Sequence, residues 1–117
     1  MLHAIDYIVS LDVAHPARKP DEVERELDAM LTKIRNHPGW RALKIVHGYG
    51  SSGKGGATKA TVKNWAFSRR QHLRAIIEGE RYELFNADTQ KMRSECGQAD
   101  DPDLGAANPG ITVVWVK

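Results

Sequence analysis

The sequence predicts an α/β fold, a mixed and mostly parallel sheet with helices packed against it. Three observations predict it. Short β-branched runs alternate with stretches of helical periodicity in the order β-α-β-α-β, which implies parallel strands joined by crossover helices. The final run, "ITVVWV" at 111–116, is nearly all apolar, as expected of a strand covered on both faces. The 117 residues are enough for one hydrophobic core, and so for one domain spanning 1–117.

Each element has a local reason. "AIDYIVSLDVA" alternates imperfectly and is rich in β-branched residues, so Ile5 to Val13 is expected to form the first strand. Pro20-Asp21-Glu22 then opens a helix, with proline in the first turn and acids at its positive end. Val23, Leu27, Met30, Leu31 and Ile34 form its apolar stripe, and "NHPG" stops it. Leu43 to His47 is the second strand. Ala57 to Arg70 is the second helix, burying Val62, Trp65 and Ala66. Leu73 to Ile77 is a third strand, continued or paired by Tyr82 to Phe85. "NADTQKMRSEC" makes a short third helix, with Asn86 as cap and Gly97 as stop. An acidic loop, "QADDPDLGAANPG", leads into the last strand, Ile111 to Val116.

Composition excludes several classes. Apolar content of 41% and charged content of 27% are those of a globular protein. The start "MLHAIDYIVS" lacks a basic leader and a small-residue cleavage site, so no secretory signal is expected. No apolar run approaches the roughly 20 residues of a membrane helix, and no membrane partner is expected. The lone Cys96 sits in "SECGQ" with no histidine nearby, which fits a plain thiol in a reducing cytoplasm.

Charge is unevenly spread. The 15 acids divide into seven in residues 1–28 and eight in residues 78–117. The 49 residues between, Ala29 to Ile77, hold none, but they hold ten of the 17 lysines and arginines. That asymmetry points to a polyanion-facing surface, or else to a solvated basic face. On the second helix, Lys59, Lys63 and Arg70 fall within roughly 40° of one another at about 100° per residue.

The stretch "HGYGSSGKGG" at 47–56 fits two phosphate-binding patterns at once. Gly48, Gly50 and Gly53 have dinucleotide-fold spacing, and Gly48, Gly53 and Lys54 have P-loop spacing. Neither holds up. Gly55 stands where a P-loop needs Ser or Thr, and the chain after the loop stays acid-free where a dinucleotide site needs an acid. No nucleotide cofactor is expected. Backbone N–H groups of the loop can still face phosphate, and Lys54 supplies a point charge. Tyr49 and Trp40 are aromatic rings able to stack on unpaired bases, although Trp40 after "HPG" also suits packing of the first helix on the sheet.

His47 stands at the carboxyl end of a parallel strand, the edge where open α/β sheets bind ligands. There it either orients the loop through a hydrogen bond or acts on phosphate. Asp12 and His15, in "SLDVAHPARK", are expected at the same rim. An Asp and two His can perform acid–base cleavage of a phosphodiester or hold a metal, although this spacing is not diagnostic of a metal site.

"LDVAH", "LKIVHGYG", the "GGATKATVKNWA" helix and the closing "NPGITVVWVK" together resemble the Smr (small MutS-related) domain, from about Ile5 to Lys117. The resemblance implies a two-layer α/β sandwich like the C-terminal domain of bacterial translation initiation factor three. It implies endonuclease activity: nicking of branched or duplex DNA in some members, cleavage of mRNA at stalled or collided ribosomes in others. The implied partners are therefore RNA or DNA, with the ribosome as a further one. His47, Gly48 and Gly50 match the family's H-G-x-G, and Leu11 and Asp12 match the start of its L-D-x-H-G. The chain departs at the histidine. Val13 and Ala14 separate Asp12 from His15 where the family has one residue, and Pro16 replaces glycine. Residues three apart in a strand face opposite sides, so Asp12 and His15 can share a groove only if the strand ends or bulges by Ala14. The departure bears on cleavage more than on binding.

The activity expected is RNA cleavage by His15 and His47 as acid and base with Asp12 in support. No metal is obligatory, and a divalent ion is compatible with the same groups. Histidine suits either role because it exchanges protons near neutrality. Gly48, Tyr49, Gly50, Lys54, Lys59, Lys63 and Arg70 are the residues expected to touch nucleic acid. The competing reading is a nucleic-acid or ribosome-binding module that does not cleave.

Overall fold

A computed structural model describes residues 2–49 and 54–117, with residues 54–56 described by backbone alone. Gly50 and the Lys54 side chain lie outside the described residues.

The expected first strand is broken in two. β1 (Leu2–Ile5) and β2 (Ile8–Asp12) form an antiparallel hairpin, with Ile5 opposite Ile8. Asp6 takes the left-handed conformation at the turn (φ 52°), which aspartate tolerates better than most residues. Tyr7 then turns into the core. Periodicity did not reveal the break because the apolar alternation runs through it.

α1 (Pro20–Arg35) buries the expected stripe, Val23, Leu27, Met30, Leu31 and Ile34. β3 (Ala42–Val46) pairs parallel to β2, placing Asp12 beside Val46. α2 (Lys54–Ser68) buries Val62, Trp65 and Ala66. β4 (Leu73–Glu78) ends in a single 3-10 turn, Gly79–Arg81. The expected continuation of strand over Tyr82 to Phe85 does not form. Tyr82 is buried, Leu84 and Phe85 are exposed, and Gly79 is pressed so closely on Asn108 that a Cβ would lie 1.8 Å from its carbonyl oxygen. α3 (Ala87–Cys96) is capped by Asn86, whose Oδ1 accepts from the Thr89 N–H at 2.9 Å, and it stops at Gly97 (φ 127°). β5 (Ile111–Val116) closes the sheet.

Strand order is β1-β2-β3-β5-β4. β2, β3 and β4 run one way, as the βαβαβ order requires. β5 is inserted between β3 and β4, antiparallel to both, so only the β2–β3 pairing is parallel. Its internal position explains why all six of its residues are buried. The mixed α/β sandwich is present.

The two faces of the sheet are covered differently. α1 and α2 cover one, over Val9, Leu11, Leu43, Ile45, Val114 and Val116. Each such side chain, fully buried, contributes about 1.5–3 kcal/mol. Asp28 ties the two helices together: its carboxylate accepts from Trp65 Nε1 (2.9 Å) and from Arg69 Nε (2.8 Å) and Nη2 (2.9 Å). On the other face lie α3 and the 97–110 loop, over Ile8, Ala42, Ile77, Val113 and Trp115. Here the core is partly ionic. Lys44, buried in β3, reaches Asp101 and Asp103 at 2.7 Å each, and the Tyr82 hydroxyl donates to Asp101 at 2.9 Å. No helix among the described residues is long and apolar enough to cross a membrane.

Candidate nucleic-acid interface

The parallel strands β2 and β3 deliver Asp12 and His47 to the same rim. β2 ends at Asp12, which settles the spacing problem raised by the two intervening residues. The Asp12 carboxylate accepts from the backbone N–H groups of Ala14 (2.8 Å) and His15 (2.9 Å), so the chain curls back on it. His15 Nδ1 then meets Asp12 Oδ2 at 2.9 Å. The His15 side chain is 76% exposed, and that of Asp12 is half-buried. Partial burial works against the Asp12 charge, but the bonds from Ala14 and His15 outweigh it and hold its pKa below the ordinary value.

His47 has a different environment. It is 0% exposed. Its backbone N–H and that of Gly48 both donate to Gly110 O, at 2.9 and 3.1 Å. Nδ1 faces Gly48 O, which can only accept, so Nδ1 carries the hydrogen. Nε2 then accepts from the Thr112 hydroxyl at 2.9 Å. Burial lowers the His47 pKa, and the neighbouring Lys59 charge adds to that, so the ring is neutral near pH 7. Strand alternation groups His47 with Leu43 and Ile45 on the face covered by α1 and α2, while Asp12 falls with Ile8 and Ser10 on the face of α3. Asp12 and His47 share a rim but not a face.

Gly48 adopts φ 73°, a left-handed turn that favours glycine and explains the first glycine of H-G-Y-G. Tyr49 is 60% exposed, and its ring edge lies over Gly110, where a Cβ would meet Tyr49 Cδ1 at 3.5 Å. The 108–110 turn is fixed from below: Asn108 Oδ1 accepts from Gly110 N–H at 2.9 Å, and Asn108 Nδ2 donates to Asp103 at 3.2 Å. A polar chain thus runs from buried Lys44 through Asp103, Asn108 and Gly110 to His47. Sequence reasoning missed Thr112, Asp101 and Asp103. Their signals are a lone hydroxyl in "ITVVWV" and a lysine inside a buried strand.

Lys59 and Lys63 lie on α2, but that helix ends at Ser68, short of the expected Arg70, which falls in the 3-10 turn Arg70–His72. All three basic residues are largely occupied. Lys59 donates to Pro109 O at 3.0 Å and stands 3.7 Å from Glu80, Lys63 pairs with Glu78 at 2.9 Å, and Arg70 donates to Phe67 O while lying 4.0 Å over the Phe67 ring. Of the nine basic side chains described in the acid-free window, five meet carboxylates: Lys44, Lys59, Lys63, Arg69 and Arg74. A segment without acids draws its counter-ions from the segments around it. Trp40 packs on the α1–α2 core with His37 stacked on it at 3.9 Å, away from a base-stacking role. Among the described residues no group of three or more His, Cys, Asp or Glu is placed to hold a metal ion.

The fold and rim define an α/β sandwich with an Asp–His pair and a glycine turn at the carboxyl ends of two parallel strands. The solved Smr domain of Thermus thermophilus MutS2 is similar, with a TM-score of 0.54 and 19% identity over 94% of this chain and 96% of that one. The chain therefore has an Smr-like fold. No family model and no curated protein matches it.

Proposed function

We propose that the chain is a nucleic-acid-binding endonuclease module that cleaves RNA at the Asp12–His15 pair. The observation that carries this reading is the pair itself, with His15 exposed. Asp12 holds His15 by Nδ1, which leaves Nε2 as the atom that faces substrate. Nε2 takes the proton from an attacking 2′-hydroxyl, and the Nδ1–H bond to Asp12 supports the imidazolium that forms. The 2′-oxygen bonds to phosphorus, the bond to the 5′-oxygen breaks, and the departing oxygen takes a proton from water. The products are a 2′,3′-cyclic phosphate and a 5′-hydroxyl.

His47 serves this reading as a positioning residue. Its ring fixes Gly48 against β5 and so sets where Tyr49 stands. A module that binds without cleaving is the second reading. It is favoured by Tyr49, an exposed aromatic at the rim, which needs no chemistry to stack on a base.

The test uses end-labelled structured RNA and supercoiled plasmid, with and without EDTA, beside Asp12→Ala and His15→Ala. Cleavage lost in both variants and ending in a cyclic phosphate supports the first reading. RNA bound with steep salt dependence but left intact supports the second. Cleavage that survives both substitutions sinks the assignment of the pair.

A further inference from the structure

A cavity of about 330 Å³ opens where the chain leaves His15 and enters α1, walled by Ala17, Arg18, Val23, Ala57, Thr58 and Thr61. Resting on the nucleic-acid reading above, we infer that this cavity seats one unpaired nucleobase of the strand whose phosphate meets the Asp12–His15 pair.

Position is the first argument. Ala17 lies two residues beyond His15, and the α2 wall follows the glycine loop of β3, so both walls belong to the rim that carries the pair. Size is the second. The volume is at the small end of the roughly 300–1,000 Å³ of ligand pockets, which suits a single ring system and not a folded partner. Chemistry is the third. Ala17, Pro20, Val23 and Ala57 give apolar walls that suit the flat, uncharged part of a nucleotide, while Arg18 and Lys19 in the same lining supply positive charge for the phosphate that follows it. Thr61 spends its hydroxyl hydrogen on Ala57 O at 3.0 Å, so its oxygen is left to accept from an exocyclic amine. The Arg18 guanidinium is set in place by Glu26 (2.7 Å) and Pro16 O (3.0 Å), and it keeps further N–H donors for a base edge or its plane for stacking. A base seated here is out of its stack, so the substrate is unpaired at that nucleotide, whether the strand is RNA or DNA.

The experiment measures binding by fluorescence anisotropy, with single-stranded RNA, single-stranded DNA and the matching duplexes of one sequence. An abasic nucleotide is then moved along the single strand. Wild-type protein should prefer the single strand, and one abasic position should weaken binding by about tenfold, as loss of one stacked base does. Comparison of the RNA and DNA arms identifies the strand. Ala57→Trp, which fills the cavity from an exposed position, should erase that positional dependence and leave the melting temperature unchanged. Duplex bound as tightly as single strand, with no sensitive abasic position in the wild type, overturns the inference and leaves the nuclease reading standing. No binding of any nucleic acid at low salt removes both.

Discussion

His15 and His47 stand at one rim, each just beyond the end of one of two adjacent parallel strands, and the structure gives them opposite properties. His15 is exposed and tied by one nitrogen to a carboxylate. His47 is sealed, with both nitrogens engaged by the protein. The first has one nitrogen tied to the protein on a side chain that is open to solvent, which the proposed cleavage uses. The second trades that freedom for geometry, joining Gly48 to Thr112. What covers a histidine at this rim thus decides whether it stays open to solvent or is locked into the protein.

The largest effect belongs to His15→Ala: cleavage should fall by about 10²–10⁴-fold. Stability should stay within about 0.5 kcal/mol, since the side chain is on the surface. A variant that unfolds would make His15 structural and erase the contrast.

Lys44→Met removes the cation beneath the polar chain that reaches His47 through Asp103, Asn108 and Gly110. It leaves the fully buried Asp101 carboxylate without its ion partner, a loss of about 3–5 kcal/mol by urea unfolding. A neutral result would place the support of His47 elsewhere.

His47→Ala leaves Gly48 O and the Thr112 hydroxyl without a partner, which costs about 1–3 kcal/mol. Urea unfolding should show that loss, while His15→Ala should not.

The smallest effect is in pH. The folded protein prefers His47 neutral, so between its depressed value and the ordinary value near 6.5 the unfolded chain binds more protons. Stability is then complete above about pH 6.5 and declines as pH falls toward the depressed value, by at most about 1.4 kcal/mol per pH unit. Thermal melts from pH 7 to 5.5 should show this decline in the wild type and a flatter profile in His47→Asn. Equal slopes would assign the effect to another group.

Much of the fold was legible because helices are local objects. The stripe of α1, the Asn86 cap and the Gly97 stop each need only a few neighbouring residues, and each is found where spacing put it. The hairpin at Asp6 was not legible, since alternation continues through a two-residue turn. Of the site, Asp12, His15 and His47 could be singled out, but their roles could not. Asp12 and His15 come together because β2 ends at Asp12 and the chain folds onto its carboxylate.

The sequence by itself determined the order of elements, the apolar faces and the concentration of basic residues between two acidic segments. Those follow from periodicity and composition, which act within a few residues. Tertiary structure alone decided that Lys44 is neutralised by Asp101, 57 positions away, that Asp28 holds Arg69 from 41 away, and that His47 is sealed by Thr112 from 65 away. Burial and pairing depend on which distant segment covers a residue, and insertion of β5 between β3 and β4 set that cover for His47 and Lys44.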